Sequence, residues 1–297
     1  MENIQDKENI KLAVRYMLIA SLLFAFTGGF AKELSNYMSS IEIVFFRNIS
    51  GVMIIAFAIY KSPLKQKGGR PLLLFARGFI GFSALLMYFY NIANIPLAEA
   101  ITFNKISPIF TALFSFLILK ESLGKLGWSG VFIGFIGVLF ITGFDVTSLE
   151  KTDWLGILSG IGAGLAYTSI RELRKYYDNR AIVMSFMLVG TIGPLILLTI
   201  GEFYTHPTFD WALAKFVIPS GISWFLIIGL GVTATLMQLY MTKAYSLARG
   251  GIVGTISYTN ILFSIMIGMF LGDMFPSLEV ILGICLIVVS GILVTRK

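Results

Sequence analysis

Ten apolar segments separated by short polar stretches dominate this sequence, and most are about long enough to cross a lipid bilayer. A membrane helix needs about 20 mainly apolar residues, because it rises only about 1.5 Å per residue. The segments cover residues 13–32, 41–60, 72–92, 98–118, 126–143, 155–170, 182–201, 220–240, 252–271 and 279–295. Since backbone polar groups in lipid must bond within their own helix, the pattern predicts an all-α membrane protein with ten transmembrane helices.

The composition agrees with burial in lipid. Of the 297 residues, 57% are hydrophobic and 13% are charged, and the mean hydropathy is +0.85. A soluble domain carries roughly 25% charged residues, so about half of the usual hydrated surface is missing, and the lipid bilayer is the expected partner. The first fifteen residues are polar, and no small-residue cleavage site follows the first apolar segment, which is therefore predicted to remain as the first span.

Lysine and arginine residues concentrate at one end of the predicted spans. If the N-terminus is cytoplasmic, seventeen of them fall in cytoplasmic segments and three, Lys32, Lys151 and Lys215, fall outside. A miscounted helix would invert this bias for every later segment, so the helix count and the orientation support each other. The sequence predicts a multi-pass protein of the bacterial inner membrane with both termini cytoplasmic. Its net charge of +7 is then explained by topology and lipid attraction, and no nucleic-acid partner is expected.

The two halves of the chain resemble each other weakly, with matches in the same order. The tripeptide AFT at 25–27 aligns with AYT at 166–168. Further along, LAEAITFNKIS from Leu97 aligns with LARGGIVGTIS from Leu247. The preserved order of such short matches indicates an internal duplication.

A duplicated unit of five helices enters the membrane from opposite sides in its two copies. The sequence therefore predicts two inverted five-helix repeats, at 12–143 and 155–295, around a central cavity. Inverted repeats are typical of secondary transporters, because two similar halves can open a shared site to one side at a time.

The segment RGFIGFSALLMYFYNIANIPLAEAITFNKISPIFTALFSFLILKE, from Arg77 to Glu121, resembles the third and fourth helices of the drug/metabolite transporter superfamily, in its EamA branch. The similar features are a short connection, a Ser–Pro pair inside the fourth helix and a closing Lys–Glu. The second half departs from this pattern, since Tyr258 stands where Pro108 stands in the first. The resemblance implies a ten-helix fold, alternating access and a cargo such as an amino acid, a nucleotide-linked compound or a vitamin.

Lys105 is the most informative ionisable residue. It lies about seven residues, or roughly 10 Å, into the fourth span, where a charge costs at least a few kcal/mol unless it faces protein, water or a ligand. Asn104 and Ser107 flank it, and Pro108 frees a backbone carbonyl one turn earlier. We expect Lys105 and Asn104 to bind a substrate carboxylate. The alternative is that Lys105 pairs with an acid such as Glu99 and fixes helix packing, although these two residues do not share a helix face.

Two arginines also lie within predicted spans. Arg47, beside Asn48 in the second span, is expected to take part either in a gating ion pair or in a ligand contact, and Glu99 is the other gating candidate. Arg77 lies near the cytoplasmic end of the third span. We interpret it as an interfacial anchor, because a long side chain can extend from there to the membrane surface.

Aromatic and amide side chains recur at positions related by the repeat. A cavity for an amphipathic metabolite needs apolar walls and a few hydrogen-bonding groups, which such residues provide. The resemblance places spans 1, 3, 6, 8 and 9 around the family's cavity. The expected lining residues are Phe26, Tyr88, Tyr167, Gln238, Tyr258 and Asn260, with ordinary helix packing as the alternative for each.

Motifs for other functions are missing from the sequence. It has no G-x-x-x-x-G-K-[ST] loop, no H-E-x-x-H and no G-x-S-x-G, and its single cysteine, Cys285, cannot form an intrachain disulfide. No catalytic residue, metal or cofactor is expected. The favoured function is secondary transport of a small amino-acid-like compound, which is either zwitterionic or anionic. The alternatives are a nucleoside- or vitamin-like cargo, a non-transporting scaffold, or an intramembrane enzyme built on Glu99 and Lys105. A homodimer is compatible with the sequence.

Overall fold

The computed structural model describes residues 2–64, 67–120, 124–141, 149–247, 253 and 256–295. Glu121 and residues 248–252, on which part of the internal-repeat prediction depends, lie outside the described residues. In the described residues the secondary structure consists of helices joined by loops, and there is no strand. Its α-helices are α1 (Glu2–Leu34), α2 (Ser40–Lys61), α3 (Pro71–Asn94), α4 (Leu97–Asn104), α5 (Ser107–Leu119), α6 (Gly124–Ile141), α7 (Lys151–Leu173), α8 (Asn179–Phe203), α9 (Ser223–Leu247), α10 (Thr259–Phe270) and α11 (Leu278–Thr295).

Seven helical segments of the described chain are long and apolar enough to cross a membrane, and one of them, Leu97–Ile118, joins α4 and α5. The apolar parts of α10 and α11, Thr259–Phe270 and Leu278–Leu293, are shorter, and α7 is long but more polar. With these three the described chain has ten membrane helices, as predicted from the apolar segments. The chain is therefore an all-α, multi-pass membrane protein. The inverted arrangement of its two halves stays a prediction.

The helices form one bundle in which α1 packs on α9 and α10, α2 on α8, α3 on α7 and α8, and α6 on α11. Successive spans run in opposite directions, so the loops gather at two ends. The N-terminal face holds residues 62–64, 67–70 and 174–178. The opposite face holds residues 35–39, 95–96, 149–150, 204–222 and 271–277.

Glycines let α7 lie directly against the backbone of α4 and α5. A Cβ atom on Gly160 would lie 2.9 Å from the carbonyl oxygen of Phe103, and one on Gly164 would lie 2.9 Å from that of Ser107. Any larger residue at either position would push α7 away, because backbone atoms cannot yield as a flexible side chain does. Gly160 and Gly164 therefore allow the close contact between these helices.

The fourth span is broken where the sequence predicted a weak point. Helix α4 ends at Asn104 and α5 begins at Ser107, so Lys105 and Ile106 form a turn between them. Pro108 has no N–H to donate to the carbonyl of Asn104, so the helical hydrogen-bond pattern cannot continue there. The hydroxyl of Tyr258 lies 3.5 Å from the carbonyl oxygen of Lys105 and donates to it.

Candidate functional site

A cavity lies in the middle of the bundle, between α1, α2, α3, α4, α7, α8 and α9. Its empty space, including the part open to solvent, is ≈ 650 Å³. The lining is mainly apolar and aromatic, with a few polar groups. It consists of Phe24, Thr27, Arg47, Arg77, Gly81, Ala84, Leu85, Tyr88, Phe89, Asn104, Ala163, Ala166, Tyr167, Phe186, Met237, Gln238 and Met241.

Arg47 and Arg77 are the two charged residues of this lining. Their exposed fractions are 2% and 3%, and both guanidiniums lie over the ring of Phe186, with the Cζ atoms 5.6 Å and 4.6 Å from its centre. The face of an aromatic ring is partly negative, so Phe186 attracts both cations. This ring therefore gathers charges from α2 and α3 at one place.

The two arginines have few other partners. Nη1 of Arg47 donates to Oδ1 of Asn48 at 2.8 Å, while Nε of Arg47 and both Nε and Nη1 of Arg77 are buried without a hydrogen-bond partner among the described residues. Neither arginine forms an ion pair anywhere in the described chain. Because these N–H groups have no acceptor among the described residues, they are available to a ligand. An acidic group on that ligand would offset the cost of burying an unpaired cation.

A glycine leaves room for this arrangement. A Cβ atom on Gly81 would lie 3.3 Å from Nη1 of Arg77 and 3.1 Å from Cδ2 of Phe186. Gly81 stands one helical turn after Arg77 on α3, so a side chain there would crowd the guanidinium against the ring.

Lys105 lies just behind the cavity wall. Its side chain is buried, and Nζ lies 5.3 Å from the ring centre of Phe24, which itself lines the cavity and lies 5.8 Å from the ring of Tyr88. The hydroxyl of Tyr88 is buried, and no described residue forms a hydrogen bond with it. Lys105 has no ion pair among the described residues, so the alternative pairing with Glu99 is absent there.

Five of the residues proposed from the sequence meet in the lining, namely Arg47, Tyr88, Asn104, Tyr167 and Gln238. They come from five different helices. Tyr88 on α3 and Gln238 on α9 are thus found in the same cavity.

The remaining proposed residues lie elsewhere. Phe26 is 44% exposed on the surface of α1, one helical face away from the lining residues Phe24 and Thr27. Tyr258 and Asn260 are buried outside the lining, and neither amide atom of Asn260 has a hydrogen-bond partner in the described chain. Glu99 is half-buried near the opposite face, close enough to Lys32 for electrostatic interaction.

The interpretation of Arg77 as an interfacial anchor is wrong, because its side chain is 3% exposed and its guanidinium lies over a buried ring. One sequence signal was available. Of the 23 basic residues, only Arg47, Arg77 and Lys105 lie at least five residues from both ends of a predicted span, which already sets Arg77 apart. Phe24, Gly81 and Phe186 had no such signal, since phenylalanine and glycine are common throughout the chain.

Polar contacts close the opposite face of the bundle. Nζ of Lys32 lies 2.8 Å from Oδ1 of Asp273, and Oδ2 of Asp273 accepts a hydrogen bond from the N–H of Leu97 at 2.8 Å. Oε1 of Glu42 accepts from the N–H of Val217 at 2.7 Å. These contacts join α1, α2 and α4 of the first half of the chain to loops of the second half.

A second set of contacts closes the N-terminal face. The N–H groups of Lys67 and Gly68 both donate to the carbonyl oxygen of Tyr176 at 3.0 Å. Arg180 donates to the carbonyl oxygen of Ser62 at 2.7 Å and pairs with Asp178 at 3.1 Å. Partial burial alone would raise the pKa of Asp178, but its hydrogen bonds with Arg180 outweigh this and hold that pKa below its ordinary value.

Comparisons with known proteins match this chain to a transporter family and to relatives named as transporters. The EamA-like transporter family matches residues 11–143. An uncharacterized transporter of Helicobacter pylori is 35% identical over 97% of this chain and 96% of its own length. The pseudopaline exporter CntI of Pseudomonas aeruginosa is 31% identical over 97% of each chain. A solved crystal structure that is 18% identical covers 95% of each chain with a TM-score of 0.62, which shows a similar fold.

Proposed function

This chain belongs to the EamA-like transporter family, and we propose that it carries a small amino-acid-like metabolite with at least one anionic group across the bacterial inner membrane by alternating access. The family and the names of the relatives point to transport rather than to an enzyme. The pseudopaline exporter, whose name gives a small molecule as its cargo, supports a small metabolite as the cargo here.

The observation that carries the proposed cargo is the pair of buried arginines in a lining without any acidic side chain among the described residues. A buried guanidinium without a counter-charge costs several kcal/mol, and an acidic group on the cargo would offset that cost. Asn104 and Gln238 offer neutral donors and acceptors, and Tyr88 offers an unpartnered hydroxyl. This combination suits a compact molecule with an acidic group and further polar atoms.

Alternating access requires the two faces to open in turn. The contacts of Asp273 on the opposite face and of Tyr176 on the N-terminal face are hydrogen bonds and partly exposed ion pairs. Each such contact contributes about 1 kcal/mol, so either set can break at modest cost. In this proposal the repeats at 12–143 and 155–295 are the two halves that move, and the N-terminal face is cytoplasmic.

Uptake into proteoliposomes tests the proposed function. Purified protein is reconstituted in vesicles loaded with unlabelled amino acids, and exchange with labelled L-glutamate, L-aspartate and L-alanine is measured. We expect saturable exchange of at least one of them, and its loss in the Arg47→Gln variant. Protein-free vesicles are the control. If folded wild-type protein exchanges none of them, or if Arg47→Gln exchanges at the wild-type rate, the proposed cargo is contradicted.

A further inference from the structure

The cavity holds two guanidiniums at separate positions. Arg47 projects from α2 and Arg77 from α3, and the ring of Phe186 on α8 contacts both. Because the two Cζ atoms lie 5.6 Å and 4.6 Å from the same ring centre, their separation cannot exceed the sum of these distances. One small molecule can therefore contact both arginines.

The unused donors exceed what one carboxylate needs. A carboxylate is bound best by two parallel N–H bonds from a single guanidinium. Within the part of the chain that the structure describes, the buried Nε and Nη1 groups of Arg77 and the buried Nε of Arg47 have no hydrogen-bond partner. A ligand with a single acidic group supplies only one negative charge, so the pair of buried arginines keeps a net positive charge that is not neutralised.

The charge of the cavity disfavours a cargo with no net charge. The described lining contains two arginines and no carboxylate, and Lys105 adds a third buried basic group behind Phe24. A zwitterion with one carboxylate brings an ammonium group as well, which these cations repel at low dielectric. An additional acidic group offsets that repulsion and supplies a counter-charge for the second arginine.

We infer that the cargo carries at least two acidic groups, one bound by Arg47 and one by Arg77, so that it is a di- or polycarboxylate of amino-acid type. This rests on the proposed function and narrows its substrate class. The ring of Phe186 contacts the guanidiniums and provides an apolar surface for the carbon chain between the acidic groups.

Matched acid and amide ligands test the inference. L-glutamate, L-aspartate and iminodiacetate each differ from their monoamides by one acidic group at nearly constant shape. Binding to purified protein is measured by thermal stabilisation over a range of ligand concentrations. We expect at least one diacid to bind with a dissociation constant at least about tenfold lower than that of its amide, because the amide leaves one guanidinium unneutralised.

Variants then test whether the two arginines cause the preference for the acid over its amide. In Arg77→Gln and, independently, in Arg47→Gln, the acid and its amide should bind within about twofold of each other, since each variant keeps a single guanidinium. Arg15→Gln makes the same change at an exposed position on α1 and should keep the wild-type preference. Using both cavity variants guards against a failure of one of them to fold.

Three results would overturn the inference: equal binding of acid and amide by the wild-type protein, an unchanged preference in both cavity variants, or no binding of any diacid by cooperatively folded protein. In each case the exchange assay described above shows separately whether the proposed function stands with a singly charged cargo.

Discussion

Nζ of Lys32 lies 2.8 Å from Oδ1 of Asp273, and this ion pair joins the end of α1 to the loop that follows α10. The same ammonium donates to the carbonyl oxygen of Ile95 at 2.9 Å, and the same carboxylate accepts from the N–H of Leu97. The ion pair thus fastens α1, α10 and the connection between α3 and α4 at the opposite face. A bundle that opens on this side must break these contacts together.

We predict that Asp273→Asn makes the opposite face easier to open. The amide keeps an acceptor for Leu97 but loses the charge that holds Lys32, so the free energy of unfolding should fall by about 1 kcal/mol. Thermal unfolding in detergent measures this loss. A cysteine at Thr27, in the cavity lining, should also react faster with a membrane-impermeant thiol reagent from that face.

The matched control is Glu279→Gln, which neutralises an exposed carboxylate on the same face. It should change neither stability nor labelling. If Asp273→Asn behaves like this control in both measurements, the ion pair does not hold the face closed.

Phe186→Leu should weaken cargo binding more than it weakens the fold. Leucine keeps an apolar side chain but removes the ring that both guanidiniums contact, and each contact is worth about 0.5–2 kcal/mol. We expect the dissociation constant of the transported compound to rise by about tenfold or more. Phe82→Leu makes the same change at a buried position of α3 outside the lining, where it packs on Gly193. Equal losses of binding in the two variants, measured by ligand-induced thermal stabilisation, would assign Phe186 a packing role only.

Lys105→Met should reduce transport steeply while the protein remains folded. Methionine keeps much of the apolar stem and removes the ammonium that lies over Phe24 beside the cavity. Lys105→Arg should also lose part of the activity, because a planar guanidinium does not replace a compact ammonium. Initial rates of exchange in proteoliposomes, normalised to folded protein, measure both effects.

Lys243→Met is the control, since Lys243 is an exposed lysine over the ring of Tyr16, outside the cavity lining. Its transport should stay at the wild-type rate. Wild-type transport by well-folded Lys105→Met would show that this lysine has no part in moving the cargo.

Gly283→Ala should destabilise the contact between α6 and α11. The added Cβ atom would lie 2.8 Å from the carbonyl oxygen of Gly137 and 2.7 Å from Cγ1 of Ile141, so the helices must separate. We expect a loss of about 1–3 kcal/mol in the free energy of unfolding. Gly28→Ala is the control, because its tightest contact is 2.9 Å from Cδ1 of Leu97, the far end of a flexible side chain. Thermal unfolding that falls no further for Gly283→Ala than for Gly28→Ala would contradict this prediction.

Both termini and the N-terminal face are predicted to be cytoplasmic. Single cysteines at Ser62 and Thr208, which are exposed on the two faces, distinguish the two orientations in a Cys285→Ser background. In intact cells a membrane-impermeant reagent should label position 208 and not position 62, and labelling of both should follow permeabilisation. Labelling of position 62 from outside the cell would show that the orientation is opposite to the predicted one.

The fold class could be predicted from the sequence because of the physical chemistry of the lipid bilayer. Each span must be helical and apolar over about 20 residues, so the number of membrane helices and the weak point at Pro108 could be inferred from local patterns alone. Three buried cations, Arg47, Arg77 and Lys105, could be picked out for the same reason, since charges in a span are rare and costly.

The sequence alone determined the class of protein, its ten spans and the residues with unusual charge, because each of these depends on the environment of a single helix. The tertiary structure decided which side chains share one cavity. Lipid-facing and protein-facing sides of a membrane helix are both apolar, so the sequence does not reveal the rotation of each helix in the bundle. Only packing turned Phe26 outward and brought Arg47 and Arg77 onto the ring of Phe186.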